Sequence, residues 1–280
     1  MVYLDAKSDI AFKKLFGNIA HKEILISFLN SVLEKVEGTK ITDVVINDPA
    51  NLPDALDAKM SIVDVRCTDQ SGSQYIVEMQ VVSQYEYPAR AQYYSSLALS
   101  RQLSVRQPYS ELVPVIFVGI LKQGLFKNPS YLSHHFLLDS ETYTRELKHL
   151  EFHFVELSKF NKQEDELQAI LDKWIYLLKN ADLLQSRPIS FRESELGTAL
   201  DVLEQGNWST QELDAYGKYL DAFRTGIDQL TAAKIEGKTE GKVERNIEIA
   251  IDLLHDGMDI TKIAKITKLS IEQIKNLNKK

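Results

Sequence analysis

Hydrophobic residues recur along this chain at two different periods, and the alternation between them divides it into elements. Near the start, Ile10, Phe12, Leu15 and Phe16, then Ile24, Leu25, Phe28, Leu29, Val32 and Leu33, fall at the three-to-four-residue spacing of amphipathic helices. Ser8 or Asp9 can cap the first helix, Gly17-Asn18 interrupts the pattern, and Gly38 ends it. Residues 41–47, ITDVVIN, read as a strand, and the proline-containing residues 48–57 as a loop. Residues 60–68 and 74–82 are rich in Ile, Val and Tyr and flank the turn Asp69-Gln70-Ser71-Gly72-Ser73, which predicts a hairpin. A helix is expected over residues 86–107, with Pro88 tolerated in its first turn. The apolar run VPVIFVGIL at 113–121 predicts a strand buried on both faces, and LEFHFVEL at 150–157 alternates as another. His134 and His135 read as a loop between these strands; adjacent side chains on an extended chain point apart, which makes a poor bidentate pair. His153 reads as a structural histidine. The order is helix, three strands, helix, two strands, an α/β domain with a mixed sheet over residues 1–160.

Beyond it the pattern is helical. Leu167, Ile170, Leu171, Trp174, Leu177 and Leu178 form one stripe, and residues 193–204 and 210–230 add helices, giving a helical extension over 161–230. Within 231–280, the segment KIEGKTEGKVER at 234–245 fits either a long exposed helix or a linker, each glycine costing a helix about 1 kcal/mol relative to alanine. Residues 258–277, MDITKIAKITKLSIEQIKNL, resemble a helix-turn-helix in which Ser270 caps the last helix and Gln273, Lys275 and Asn276 lie on its polar side. A three-helix cap or a homo-oligomerisation element is the alternative.

Composition narrows the class. With 280 residues and 44% hydrophobic content the chain can bury a sizeable core. Its net charge of −7 argues against a non-specific nucleic-acid coat protein, which would be basic, but not against a nuclease whose acidic site is neutralised by its own ion. Cys67 is the only cysteine, so an intrachain disulfide and cysteine-cluster zinc are excluded, and it reads as a small core residue. No apolar run reaches the roughly 18 residues of a spanning helix, and MVYLDAKSDIAFKK carries no apolar leader segment. No membrane partner and a reducing cytoplasm are expected.

The candidate chemistry interrupts the hairpin. Asp64 lies between Val63 and Val65 in the first run, and Glu78 and Gln80 alternate with Val77, Met79 and Val81 in the second. Alternation puts Glu78 and Gln80 on one face, and hairpin pairing brings them toward Asp64. Carboxylates in strand centres must be hydrated, paired or metal-bound, and two that converge suit a hard cation such as magnesium. A solvated polar face with an Arg66–Glu78 cross-strand pair is the alternative. Arg90, at the start of the following helix, offers forked donors for a phosphate, and Lys13 and Lys14 could steer one. Asp9 suits a first helical turn without further function.

SDIAFKKLFG (Ser8–Gly17) and VEMQ (Val77–Gln80), with an Asp, a turn and then Glu-x-Gln in the next strand, resemble the Rpn family of recombination-promoting nucleases, also described as transposases of the PD-(D/E)XK superfamily. The resemblance covers roughly residues 1–160 and continues more loosely beyond. It implies a PD-(D/E)XK restriction-endonuclease-like core, αβββαβ with a mixed sheet, followed by an α-helical C-terminal region. It also implies a metal-dependent DNA endonuclease, linked to recombination or mobile elements, that hydrolyses phosphodiester bonds with Mg2+ or another divalent cation. Asp64 and Glu78 are then the metal ligands, with the Met79 carbonyl beside them. Gln80 stands where the usual lysine would be, and Asp9 is an auxiliary acid; contact with the substrate phosphate would then depend more on Arg90 and Lys13, for which a solvated helix surface is the alternative. The alternative is a catalytically weak or inactive nuclease-fold protein serving as a DNA-binding or protein-interaction module.

Overall fold

The apolar run at the centre of the chain forms a strand buried along its whole length, and the sheet extends outward from it. A computed structural model of the chain describes residues 1–33, 40–47, 64–82, 85–192 and 194–277. Six strands, β1 (Val44–Asn47), β2 (Val65–Asp69), β3 (Gln74–Gln80), β4 (Val115–Leu121), β5 (Leu132–Phe136) and β6 (Leu150–Glu156), lie in the order β1-β2-β3-β4-β6-β5. The first three form an antiparallel meander; β3 and β4 pair in parallel, as do β4 and β6, and β5 closes the far edge antiparallel to β6. A parallel neighbour needs a crossover, and helix α3 (Tyr87–Ser100) provides it between β3 and β4. This is the mixed αβββαβ core expected from the sequence, extended by the expected strand β6 and by a further strand, β5, at the edge.

Alternation along the strands divides the core between the two faces of the sheet. On one face, Val65, Cys67, Tyr75, Val77 and Val118 meet α1 (Asp9–Phe16), α2 (Lys22–Leu33), α4 (Ile170–Asn180) and α5 (Glu195–Leu203). Phe16, Phe28 and Trp174 form the aromatic centre there, with ring centroids 5.0–6.0 Å apart. On the other face, Tyr87, Ala91, Tyr94 and Ala98 of α3 cover Ile76, Val115, Phe117 and Phe154. Close approach fixes Gly119 on this second face, because a Cβ there would lie 2.8 Å from both the Phe154 ring and the Tyr87 hydroxyl. Cys67 is buried core as expected, and burial pushes its thiol up to about 12.

The elements depart from the sequence reading at four places. The helix expected to reach residue 107 ends at Ser100. Past Leu99 there is no stripe left to bury, and the Gln102 side chain ties the chain instead to both backbone polar groups of Val113. His134 and His135 belong to strand β5 rather than a loop, and they do point apart: His134 Nδ1 sits 2.7 Å from Nδ1 of buried His153, while His135 meets Ser133. Strand β1 begins at Val44, and β2 begins at Val65, so Asp64 precedes its strand instead of sitting in the middle of it. The expected strand residues 60–63, the loop at 48–57 and Gly38 lie outside the described residues.

The chain divides into two units, Met1–Tyr219 and Leu220–Lys280. Helix α6 (Thr210–His255) begins in the first, where Leu213 and Tyr216 pack on the core, and residues 234–245 are exposed helix within it. In the second unit α6 ends at His255, and Gly257, whose φ of +75° favours glycine, turns the chain after it. Helices α7 (Ile260–Thr267) and α8 (Ile271–Leu277) follow, and Ala250, Ile263, Leu269 and Ile274 form a small core of their own.

Candidate active site

Strand β3 runs between β2 and β4, and its pairing fixes where the acids meet. Val65 lies opposite Val77, so Asp64, one residue earlier, comes beside Glu78. Asp64 Oδ2 accepts the Met79 N–H at 2.7 Å, which ties the first run to the second at this point. Below the turn, Asp69 holds the hairpin closed by accepting from Ser71, Ser73 and the Tyr75 hydroxyl. Asp9 arrives from α1, where Ser8 accepts the Ala11 N–H as the cap and leaves Asp9 in the first turn. Its carboxyl comes within hydrogen-bonding reach of Asp64.

Crowding these acids has an electrostatic cost. Asp64 is raised to about 7, chiefly by burial; the Met79 N–H opposes the rise, and Asp9 and then Glu78 add to it. Glu78, 7% exposed, is also raised by burial, against the pull of Arg90. Arg90 forms an ion pair with Glu78 Oε1 and donates to Gln80 Oε1 at 2.7 Å, while its guanidinium stacks 5.1 Å from the centroid of the Tyr87 ring. Arg66 does not play this part: it faces Ile76 in register, with Arg101 as its charged neighbour. The cross-strand Arg66–Glu78 pair is thus replaced by a cation from the crossover helix. Gln80 uses its other end to donate to the Val82 carbonyl at 2.5 Å.

Six of the residues singled out in the sequence converge here: Asp9, Lys13, Asp64, Glu78, Gln80 and Arg90. Lys13 reaches the group through Asp9, 2.9 Å from its carboxylate. Lys14 points elsewhere, pairing with Glu212 at 2.6 Å and stacking on Trp208. The histidines of β5 and β6 lie apart from the group, toward the β5 edge of the sheet. Two tyrosines escaped the sequence reading. The Tyr219 hydroxyl accepts the Asp9 N–H, and the Tyr216 hydroxyl accepts the Asp5 N–H at 3.0 Å. Their spacing of three on α6 puts both on one helical face, the one signal that could have marked them.

Residues 6–229 match the family described as PD-(D/E)XK nuclease family transposase. The chain belongs to that family. Neither a curated protein nor a solved structure matches it. The PD-(D/E)XK match spans α1 through the first part of α6, so it includes every residue of the acidic group and both tyrosines. Among the described residues no helix is long and apolar enough to cross a membrane.

Among those same residues, no three His, Cys, Asp or Glu side chains are arranged to ligate one metal ion together. The donor chemistry at Asp64 and Glu78 nevertheless fits a hard divalent cation, which takes carboxylate oxygens and keeps several waters. Among the described residues Glu78 Oε2 is buried with no hydrogen-bond partner, and burial holds Asp64 partly protonated near neutrality. A cation answers both.

Proposed function

We propose that this PD-(D/E)XK transposase-family nuclease is a divalent-cation-dependent DNA endonuclease, with Mg2+ or a similar ion held by Asp64 and Glu78. The observation that carries the reading is the pair itself: two carboxyls side by side across a hairpin, both raised by burial, one with an orphaned oxygen. When bound, such an ion lowers the pKa of attacking water and stabilises charge developing on the scissile phosphate. The chain's own residues do the rest. Asp64 is oriented by the Met79 N–H, and Asp9 stands within hydrogen-bonding reach of it. Gln80 carries no charge and is no base at neutral pH. Arg90, bonded to Gln80, brings the positive charge that a lysine supplies in the usual core, and its fork matches phosphate oxygens. Lys13 adds a second positive charge beside Asp9.

One observation favours a second reading, a catalytically weak nuclease-fold binding module. Both ends of the Gln80 amide are already engaged, by Arg90 and by Val82, which leaves it one N–H and one lone pair with which to hold a water. Supercoiled plasmid separates the two. Nicking with Mg2+ that EDTA abolishes supports the nuclease; retention of DNA without nicking under any of Mg2+, Mn2+ or Co2+ supports the binding module.

A further inference from the structure

Charge is unevenly spread along this acidic chain. The net charge is −7, yet residues 260–277 carry four lysines against one acid. All four, Lys262, Lys265, Lys268 and Lys275, are exposed. Helical spacing puts Lys262 and Lys265 on the side of α7 opposite buried Ile263 and Thr267.

The backbone gives this segment a defined shape. Asp259 caps α7 by accepting the Thr261 N–H at 3.0 Å. Lys268 closes it in the left-handed conformation, φ 60°, which turns the chain sharply with a three-residue connection to α8. Ser270 and Gln273 then form a reciprocal cap on α8: Ser270 Oγ accepts the Gln273 N–H at 3.1 Å, and Gln273 Oε1 accepts the Ser270 N–H at 2.8 Å. Leu269 and Ile274 anchor the turn and α8 on Ala250 and Ile263. Two short helices joined by a tight turn on a third helix are the helix-turn-helix arrangement. With Ile274 and Leu277 inward, the outward face of α8 presents Glu272, Lys275 and Asn276, with Ile271 at its margin, 45% exposed. These residue types suit base edges: Glu accepts from cytosine, Lys donates to guanine, Asn pairs with adenine, and an apolar group meets the thymine methyl.

We propose that α7, its turn and α8 form a second DNA-contact surface, separate from the acidic group, in which α8 enters the major groove of duplex DNA and Lys262, Lys265 and Lys268 meet phosphates. The occupant is duplex DNA because the lysines supply the complementary charge and the α8 face the base-reading groups. The surface lies in the Leu220–Lys280 unit, so it can stand or fall independently of the nuclease reading.

The test uses the full chain carrying Asp64→Asn, in EDTA, so that no cleavage intervenes. Fluorescence anisotropy with a labelled 30-base-pair duplex is measured across a salt series. Lys262→Gln/Lys265→Gln should weaken binding on the order of tenfold and reduce the salt slope by about 2, the loss of two phosphate contacts. Lys275→Ala/Asn276→Ala should flatten the differences in affinity among duplexes of unlike sequence. Circular dichroism at 222 nm should match between the Asp64→Asn parent and both double variants, since Lys262, Lys265, Lys275 and Asn276 are all exposed. Unchanged affinity in both double variants overturns the proposal, as does an absence of duplex binding before substitution. So does a change in sedimenting mass without a change in DNA affinity, which would assign the face to a second copy of the chain. None of these outcomes depends on whether the plasmid is nicked.

Discussion

Asp64→Asn should make the metal-free protein more stable while removing its capacity for cleavage. Holding a carboxyl that ordinarily titrates near 4 at about 7 costs its charged form on the order of 4 kcal/mol. Asn keeps the shape and an oxygen for the Met79 N–H, so the backbone bond is retained. Relaxation of Asp9 and Glu78 absorbs part of the cost, and a gain of about 1–3 kcal/mol in unfolding free energy is expected at pH 8. The sign follows from the direction of the shift. A carboxyl raised by folding contributes stability below its unfolded pKa and loses that contribution as pH rises through its folded value. The wild-type chain in chelator therefore loses stability between about pH 4 and pH 7, and the Asn variant lacks that component. Urea unfolding in EDTA at pH 4.5 and pH 8 reads it directly, with equal m values confirming a common unfolded state. The gain should shrink several-fold at pH 4.5. An Asn variant less stable than wild type at pH 8, or equally stabilised at both pH values, refutes the crowded-acid account. Adding Mg2+ at pH 8 should stabilise wild type and leave the variant unmoved.

Other substitutions test neighbouring parts of the account. Arg90→Gln strips the buried Glu78 of its cation and should cost about 3 kcal/mol by urea unfolding, where a cost near zero would show Glu78 satisfied elsewhere. Gly119→Ala drives a methyl against Phe154 and Tyr87 and should lower stability by about 1–3 kcal/mol, read as a fall in Tm by calorimetry. Tyr219→Phe removes the acceptor of the Asp9 N–H; a loss of about 1 kcal/mol and slower nicking at unchanged DNA affinity are expected, and unchanged nicking would remove Tyr219 from the support of Asp9.

The parts of the fold that were readable in the sequence are those fixed by one short-range pattern. VIFVGIL has no polar position to accommodate, so its place in the middle of the sheet followed directly. The Phe16, Phe28 and Trp174 stripes marked the helical layer in the same way. Strand β5 was missed because LSHHF lies at the sheet edge, where one buried serine and two half-buried histidines leave little apolar alternation. Helix α6 was read as a helix over 210–230 followed by either exposed helix or linker over 234–245, because Gly237 and Gly241 lower the local propensity there, at about 1 kcal/mol each. At the acidic group, strand alternation sufficed for Glu78 and Gln80, whereas their cation did not follow from it. Arg66 is the nearer arginine in the hairpin; Arg90 arrives through the crossover, a tertiary event outside any strand periodicity. Tyr219 lay further out of reach, since it meets Asp9 only after α4, α5 and the start of α6 have packed.

Single-turnover nicking of supercoiled plasmid, compared for wild type, Asp64→Asn, Glu78→Gln and an exposed-site control such as Glu240→Gln, tests the central claim most directly. The account predicts Mg2+-dependent nicking in wild type and control, and a loss on the order of a hundredfold or more in both site variants while each remains folded, since each removes a ligand of the cation. Equal nicking in all four proteins would contradict it and move the chemistry away from the β2–β3 hairpin.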